Sequence, residues 1–407
     1  MFSFDLDYPA DWYPYTWDCF SNTTFETKGL AKLPLLADSV EHPHNTVHLV
    51  LGSIGAMGDN DYAGFDPIFS LHHTQVDRLL AFWEHIYPNY WMGLSYMNNQ
   101  GELKPFTDEE GTRAELPDAS INENTTLNPF RQPGNSYWKA SETCFMARMN
   151  YTYPAVQLSL GQDIGIAQWA ADLAALHVTS LWILSSRHKV SSRVNPLRDK
   201  WAFSDKLAPA IFADDVTSKV PDGHTPVHGF HHFVFSVELL KFAFNLSYYL
   251  EFLYQKTEET TVPVGIVPVL GRGSSTLCAA CNVCHAWDNK VHGVVTIDTD
   301  VMVDIVLKEN LNHSHTMHDQ IIDALKRNIW AHLATCSGGR IASPRYRDGQ
   351  VSGAGYNTLA AEAIPKIIIA SANLAERQRE EVGEGGGKAL SYYDTVQHAE
   401  HLTEGWS

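Results

Sequence analysis

Basic residues are scarce in this chain: 29 Lys and Arg stand against 47 Asp and Glu, a formal charge of −18. That balance disfavours nucleic acid and anionic membrane surfaces as partners. Six cysteines in 407 residues are too few for a disulfide scaffold. No apolar run reaches the length that spans a bilayer. A basic start leading into an apolar stretch, the mark of a secretory signal, is also missing. A cytoplasmic location is therefore expected, and the Asn-x-Ser/Thr sequons at Asn22, Asn124, Asn150, Asn245 and Asn312 carry little weight.

What the chain does have is histidine, 20 of them, and their spacing is informative. His44 and His48 stand at i and i+4, so on a helix both imidazoles leave the same face, close enough to share one ion. A second cluster, Phe65-Asp66-Pro67-Ile68-Phe69-Ser70-Leu71-His72-His73 with Asp77-Arg78 behind it, can supply a third nitrogen. Asp66 can cap a helix that begins at Pro67, which fixes His73 in its second turn. Three neutral imidazoles suit copper, and zinc almost as well. The bland alternative is that these histidines cap or fill a helix pair, which would leave several rings to be desolvated without compensation.

The flanking residues favour copper. His44-Asn45-x-x-His48 followed by Phe65-Asp66-Pro67-x-Phe69-x-Leu71-His72-His73-x-x-x-Asp77-Arg78 resembles the second-copper signature of type 3 copper proteins: tyrosinases, catechol oxidases and molluscan haemocyanins. The resemblance implies His44, His48 and His73 as copper ligands and His72 as a neighbour of the ligand set. It implies Asp77 as a carboxylate that orients the histidines, and Asn45 as a residue that helps position a water acting as base towards a phenol. Asn128-Pro129-Phe130-Arg131, Ser136-Tyr137-Trp138 and Tyr151-x-Tyr153 are similar to the stretch that closes the catalytic domain of fungal tyrosinases. Cys278-x-x-Cys281 is similar to a cysteine pair proposed there to help load copper. The function implied is oxidation of monophenols and o-diphenols to o-quinones with dioxygen, in pigment formation. Phenols and dioxygen would be the partners, with no nucleic acid and no membrane. Haemocyanin-like oxygen binding and a non-catalytic remnant holding a single copper or zinc ion stay open as alternatives.

A type 3 centre takes two coppers with three histidines each, and the family's first-copper half precedes the second. Only 43 residues precede His44, with one histidine, His42. The expectation is thus a second-copper half alone, with little phenol oxidation by itself, in a chain that resembles the latter part of a longer protein. His224, His228, His231 and His232 are spaced as a fair metal candidate, but the following Phe233-Val234-Phe235-Ser236-Val237 reads as a strand that sends His231 and His232 to opposite faces. His313, His315 and His318 read as solvated turn residues. Cys278-Ala-Ala-Cys281-Asn-Val-Cys284-His285 has four readings: haem attachment, structural zinc, a Cu(I) handling site, or inert loop cysteines.

The fold class expected is α+β: a truncated helical copper bundle over residues 1–155, a linker or insertion over 156–225, a β-sandwich-like cap over 226–375 and a flexible tail over 376–407. Helices are expected at 43–51 and 67–86, the latter with Phe69, Val76, Leu80 and Trp83 in a buried stripe, and the apolar segment 164–184 reads as helix-like. Residues 100–127 read as a surface loop. Strands are expected at 233–239, 248–254, 262–270, 293–297 and 366–370, with an amphipathic helix over 317–333. In fungal tyrosinases the cap covers the copper site with an aromatic side chain. Here Val269 and Leu270 occupy that neighbourhood.

Overall fold

The computed structural model describes residues 16–21, 38–86, 124–153, 225–244, 246–271, 290–311, 317–343, 359–377 and 389–401, with short pieces between 96 and 122, residue 220 and Trp406. Several sequence expectations fall outside these residues: the helix within 164–184, His224, His313, His315, and the cluster that contains Cys278 and Cys281.

The N-terminal unit is helical: α1 (Thr16–Ser21), α2 (Glu41–Gly52), α3 (Pro67–Ile86) and the short α4 (Ala140–Thr143). α3 begins where expected, because the Asp66 side chain accepts a hydrogen bond from Ile68 N at 3.0 Å and Pro67 lacks a donor that the first turn could not use. In α2, Pro43 likewise lies in the first turn, where its missing N–H has no intrahelical partner to lose. α1 docks on α3 through aromatic rings, Phe20 stacking on Trp83 at 4.3 Å. Val76, Leu79 and Leu80 join them. Phe69 departs from the expected stripe and turns to His73, at a ring distance of 4.0 Å.

The stretch expected as a loop over 100–127 carries short antiparallel pairs, Phe106–Asp108 with Ala119–Ile121, and Thr126–Arg131 with Tyr137–Lys139 begins at its end. Three-residue strands are too brief to leave an alternating signature. Ile121 nonetheless reaches the core beneath α3.

The C-terminal unit is a sandwich of two antiparallel sheets. Its strands are β1 (Thr225–Leu240), β2 (Tyr248–Gln255), β3 (Thr261–Val269), β4 (Lys290–Thr296), β5 (Ile329–Thr335), β6 (Arg340–Ala342), β7 (Lys366–Arg377) and β8 (Ala389–His401). One sheet runs β4-β1-β7-β8 and the other β6-β5-β2-β3. Alternation does the sorting: Tyr248, Leu250, Phe252 and Tyr254 of β2 point inward, and Phe252 stacks on Phe235 of β1 at 4.5 Å. Helices α5 (Thr299–Lys308) and α6 (Met317–Asn328) add Met302, Ile305, Ile321 and Leu325 to that core.

Two expectations are corrected here. The helix over 317–333 stops at Asn328, since Ile329–Thr335 pairs residue for residue with β2 and a full strand ladder outweighs another turn of helix. Asn328 marks the boundary by donating from its side chain to Ala324 O and Glu309 Oε1, at 2.9 and 2.6 Å. The tail over 376–407 is not simply flexible: β7 extends to Arg377 and β8 pairs with it antiparallel, while His401 and Trp406 are each 2% exposed. Helix α5 was not anticipated. Among the described residues no helix is long and apolar enough to cross a membrane.

The two units touch along α2 and β3. His42 Nε2 donates to Ile266 O at 2.8 Å, and Asp38 Oδ2 lies 2.5 Å from its Nδ1. Burial disfavours a charged His42 ring, but the Asp38 carboxylate and the Ile266 carbonyl together outweigh it and raise its pKa. His42 is thus a tether between helix and sheet, turned away from the other histidines.

Candidate metal centre

α2 and α3 bring His44, His48, His72 and His73 together, one ligand atom from each lying within 4.8 Å of all the others. His44 and His48, a turn apart, have ring centroids 4.6 Å from each other. His73 stands 5.0 Å from His44 and 5.5 Å from His48. His72 joins the group rather than merely flanking it, stacked on His44 at 5.1 Å.

Hydrogen bonds decide which nitrogen of each ring can serve as ligand. His48 Nδ1 lies 2.7 Å from Met57 O. A carbonyl only accepts, so Nδ1 carries the proton and Nε2 keeps its lone pair. His44 Nδ1 faces Glu41 Oε2 at 3.0 Å and Asn45 Oδ1 at 3.0 Å, which by the same reasoning leaves its Nε2 bare. His72 bonds the backbone of His44, and its Nε2 is buried with no hydrogen-bond partner. His48 Nε2 and His73 Nε2 face each other at 3.3 Å. Two imidazole nitrogens on a four-coordinate ion, each bonded at about 2 Å, stand roughly 3.3 Å apart.

Electrostatics prepares the rings as ligands. Burial, then the neighbouring His44, His72 and His48 rings, lowers the pKa of His73 to about 4. Burial lowers that of His48, with His44 adding to it and the Met57 carbonyl opposing. His72 is lowered by burial and then by His44 and His48. Metal binding needs unprotonated imidazole, and near neutral pH these rings have already given up the proton.

Asp77 does something other than expected. Its carboxylate accepts from Tyr151 Oη at 2.8 Å and from Tyr153 Oη at 2.6 Å, so its hydrogen bonds fasten the Tyr-x-Tyr segment to α3 rather than orient the imidazoles. Two further contributors were missed in the sequence, Glu41 and the Met57 carbonyl. Glu41 had a signal, sitting one turn before His44. A backbone carbonyl has none.

Residues 11–86 match the family described as the common central domain of tyrosinase, so the match begins before α1. The chain is tyrosinase-like. It is 38% identical over 121 residues to polyphenol oxidase 2 of Agaricus bisporus, the aligned part spanning 29% of this chain and 20% of that protein. It is 30% identical over 120 residues to a tyrosinase of Neurospora crassa, 29% of this chain and 16% of the other. A mushroom tyrosinase structure containing latent and active forms shares the fold, with a TM-score of 0.58 at 18% identity, over 97% of this chain and 59% of that one. The α+β architecture of this tyrosinase-like chain is therefore that of its structural neighbours, and the chain spans less than two thirds of the length of the proteins it matches. Tyrosinases are copper proteins, and the donor set fits that metal: in His44 and His48 the Nδ1 is engaged and the Nε2 left to the group, and His72 Nε2 is a buried orphan.

Proposed function

We propose that the chain is a tyrosinase-type copper oxidoreductase unit. Its substrates would be monophenols and o-diphenols, taken to o-quinones with dioxygen in melanin-type pigment formation. The observation that supports this most is the convergence of His44, His48 and His73 on one point, with His72 beside them. Copper, when bound, would supply the redox couple through which electrons pass from phenol to dioxygen. His44, His48 and His73 would hold it. Glu41 and Asn45 would orient His44 through its Nδ1, and Asn45 would help position a water that takes the phenolic proton. Cys278 and Cys281 would serve copper loading.

Among the described residues only one group can hold a metal, and we expect little phenol oxidation from this chain alone. The same observation favours a second reading, a non-catalytic protein with a single copper or zinc ion. Metal analysis after reconstitution with copper and, separately, with zinc tests the site: close to one copper per chain supports it, zinc without copper sinks the first reading, and binding of neither metal sinks both. Oxygen uptake with L-tyrosine or catechol and added copper then separates them. Robust uptake overturns the expectation of a weak enzyme, slow but measurable quinone formation supports the oxidoreductase, and no turnover with one bound ion favours the second reading.

A further inference from the structure

Gly52 ends α2 and Gly58 ends the short turn Ala56–Gly58, and there the two backbones touch. A Cβ on Gly52 would stand 2.0 Å from Gly58 N, and one on Gly58 would stand 2.2 Å from Ser53 O. Neither obstacle is a side chain that could swing aside. Between them Ser53 has φ 45° and ψ −117°, outside the wells that L residues favour, a conformation that persists only when its surroundings enforce it. Two contacts do so. Ser53 N donates to Leu49 O at 3.0 Å, and Ser53 Oγ donates to Cys336 O at 2.9 Å. Cys336 directly follows β5, so the second contact comes from the sandwich. The turn delivers the Met57 carbonyl to His48 Nδ1, where Met57 is 1% and His48 3% exposed.

We propose that the sandwich helps to build the metal centre through this turn. Cys336 O holds Ser53, the Gly52–Gly58 contact passes that hold to the Met57 carbonyl, and Met57 keeps the His48 proton on Nδ1 so that Nε2 faces the ion. Ser53, Gly52 and Gly58 are positioning residues. The proposal rests on the reading of these histidines as a copper site, but its first readout needs no metal. A backbone partner that fixes the tautomer of a ligating imidazole is commonly worth 10–100-fold in metal affinity.

The test is imidazole 15N NMR on the metal-free full chain, followed by Cu(II) titration and the Cu(II) electron paramagnetic resonance spectrum. In the unaltered protein His48 is expected in its Nδ1–H form. Gly58→Ala should mix the two tautomers, weaken Cu(II) about 10-fold or more and change the spectrum. Ser53→Ala, which removes only a hydroxyl, should do the same by several-fold. Gly64→Ala, where a Cβ meets nothing within 4 Å, should change neither readout. Should Gly58→Ala fail to fold, Ser53→Ala carries the test: retention of the original His48 tautomer and copper spectrum in that variant overturns the link to the sandwich. If the unaltered chain binds no copper while its His48 tautomer still responds to Ser53→Ala, the oxidoreductase reading fails and the role of the turn stands.

Discussion

The sandwich and the helical unit spend their buried positions on different chemistry. In the sandwich the most deeply sealed side chains are mainly hydrocarbon: Phe235, Leu250 and Phe252 are 0% exposed, with Ser371 and His401 among the few buried polar ones. Around the histidines the distribution is mixed, an apolar cluster of Trp17, Phe20, Val40 and Phe145 packing in the same unit as imidazoles of which His48 is buried and the others half-buried. Ile54 and Phe65 are each 85% exposed and Leu71 is 69% exposed, while His48 is 3% exposed, and Glu84, near the other end of α3, has its carboxyl pushed by burial to about 7. A hydrocarbon core stabilises a chain without help. A core of desolvated imidazoles is a cost until a cation satisfies their lone pairs. The sandwich thus reads as a metal-independent scaffold, and the helical unit as the half whose order is linked to the ion.

The largest effect should come from breaking the scaffold. Phe252→Ala removes a ring stacked on Phe235 in a site with no exposure, and large-to-small changes of this kind cost about 3–5 kcal/mol. Urea denaturation should show that loss equally with and without added copper. If the loss vanished on adding copper, the two halves would not be held by separate means.

A smaller effect should appear in the helical unit when the ion is added. At a hundredfold excess over Kd, a ligand that binds only the folded state stabilises by about 2.7 kcal/mol. Thermal unfolding with and without copper should show a shift of that order, and His48→Ala should abolish it. A shift that survives His48→Ala would place the ion elsewhere.

These two halves also differ in how much of them the sequence discloses. Strand alternation such as Tyr248-x-Leu250-x-Phe252-x-Tyr254 reports a buried face directly, and the helices that carry His44, His48 and His73 announce themselves through spacing and the Asp66-Pro67 start. What stayed hidden were relations between distant segments. Nothing in Ile329–Thr335 states that pairing with β2 will win over another turn of α6, and nothing in Ala389–His401 states that β7 is waiting as a partner. The site shows the same division. Its ligands are side chains and could be read, whereas the group that fixes the His48 proton is the Met57 carbonyl, set in place by a contact between two glycines. Asp77 could be singled out in the sequence as a carboxylate near the histidines, but only the fold shows that Tyr151 and Tyr153 are the groups that claim it.

The smallest of the predicted effects concerns protons and sharpens the contrast from the scaffold side. His401, sealed against Ile329 O at 3.1 Å, has its pKa lowered from the usual 6.5 to about 4, by burial first and by Lys326 after it, against the opposing carbonyl. The unfolded chain takes up this proton near 6.5 and the folded chain only near 4, so between those values the unfolded state holds more protons and stability falls as pH falls. From pH 7 to pH 5 that single ring should cost about 2 kcal/mol. His401→Phe should remove this contribution, so that denaturation midpoints measured at pH 7 and pH 5 lie closer together in the variant than in the parent, with copper absent from both. An unchanged gap would mean that His401 is not what makes the sandwich sensitive to acid. His232 and His332, both lowered to about 4 by burial first, would then be the next rings to replace. Their effect has the same sign, because His332 stays neutral beside Glu251 despite the 3.2 Å separation, the Glu251 carboxyl being itself raised by burial.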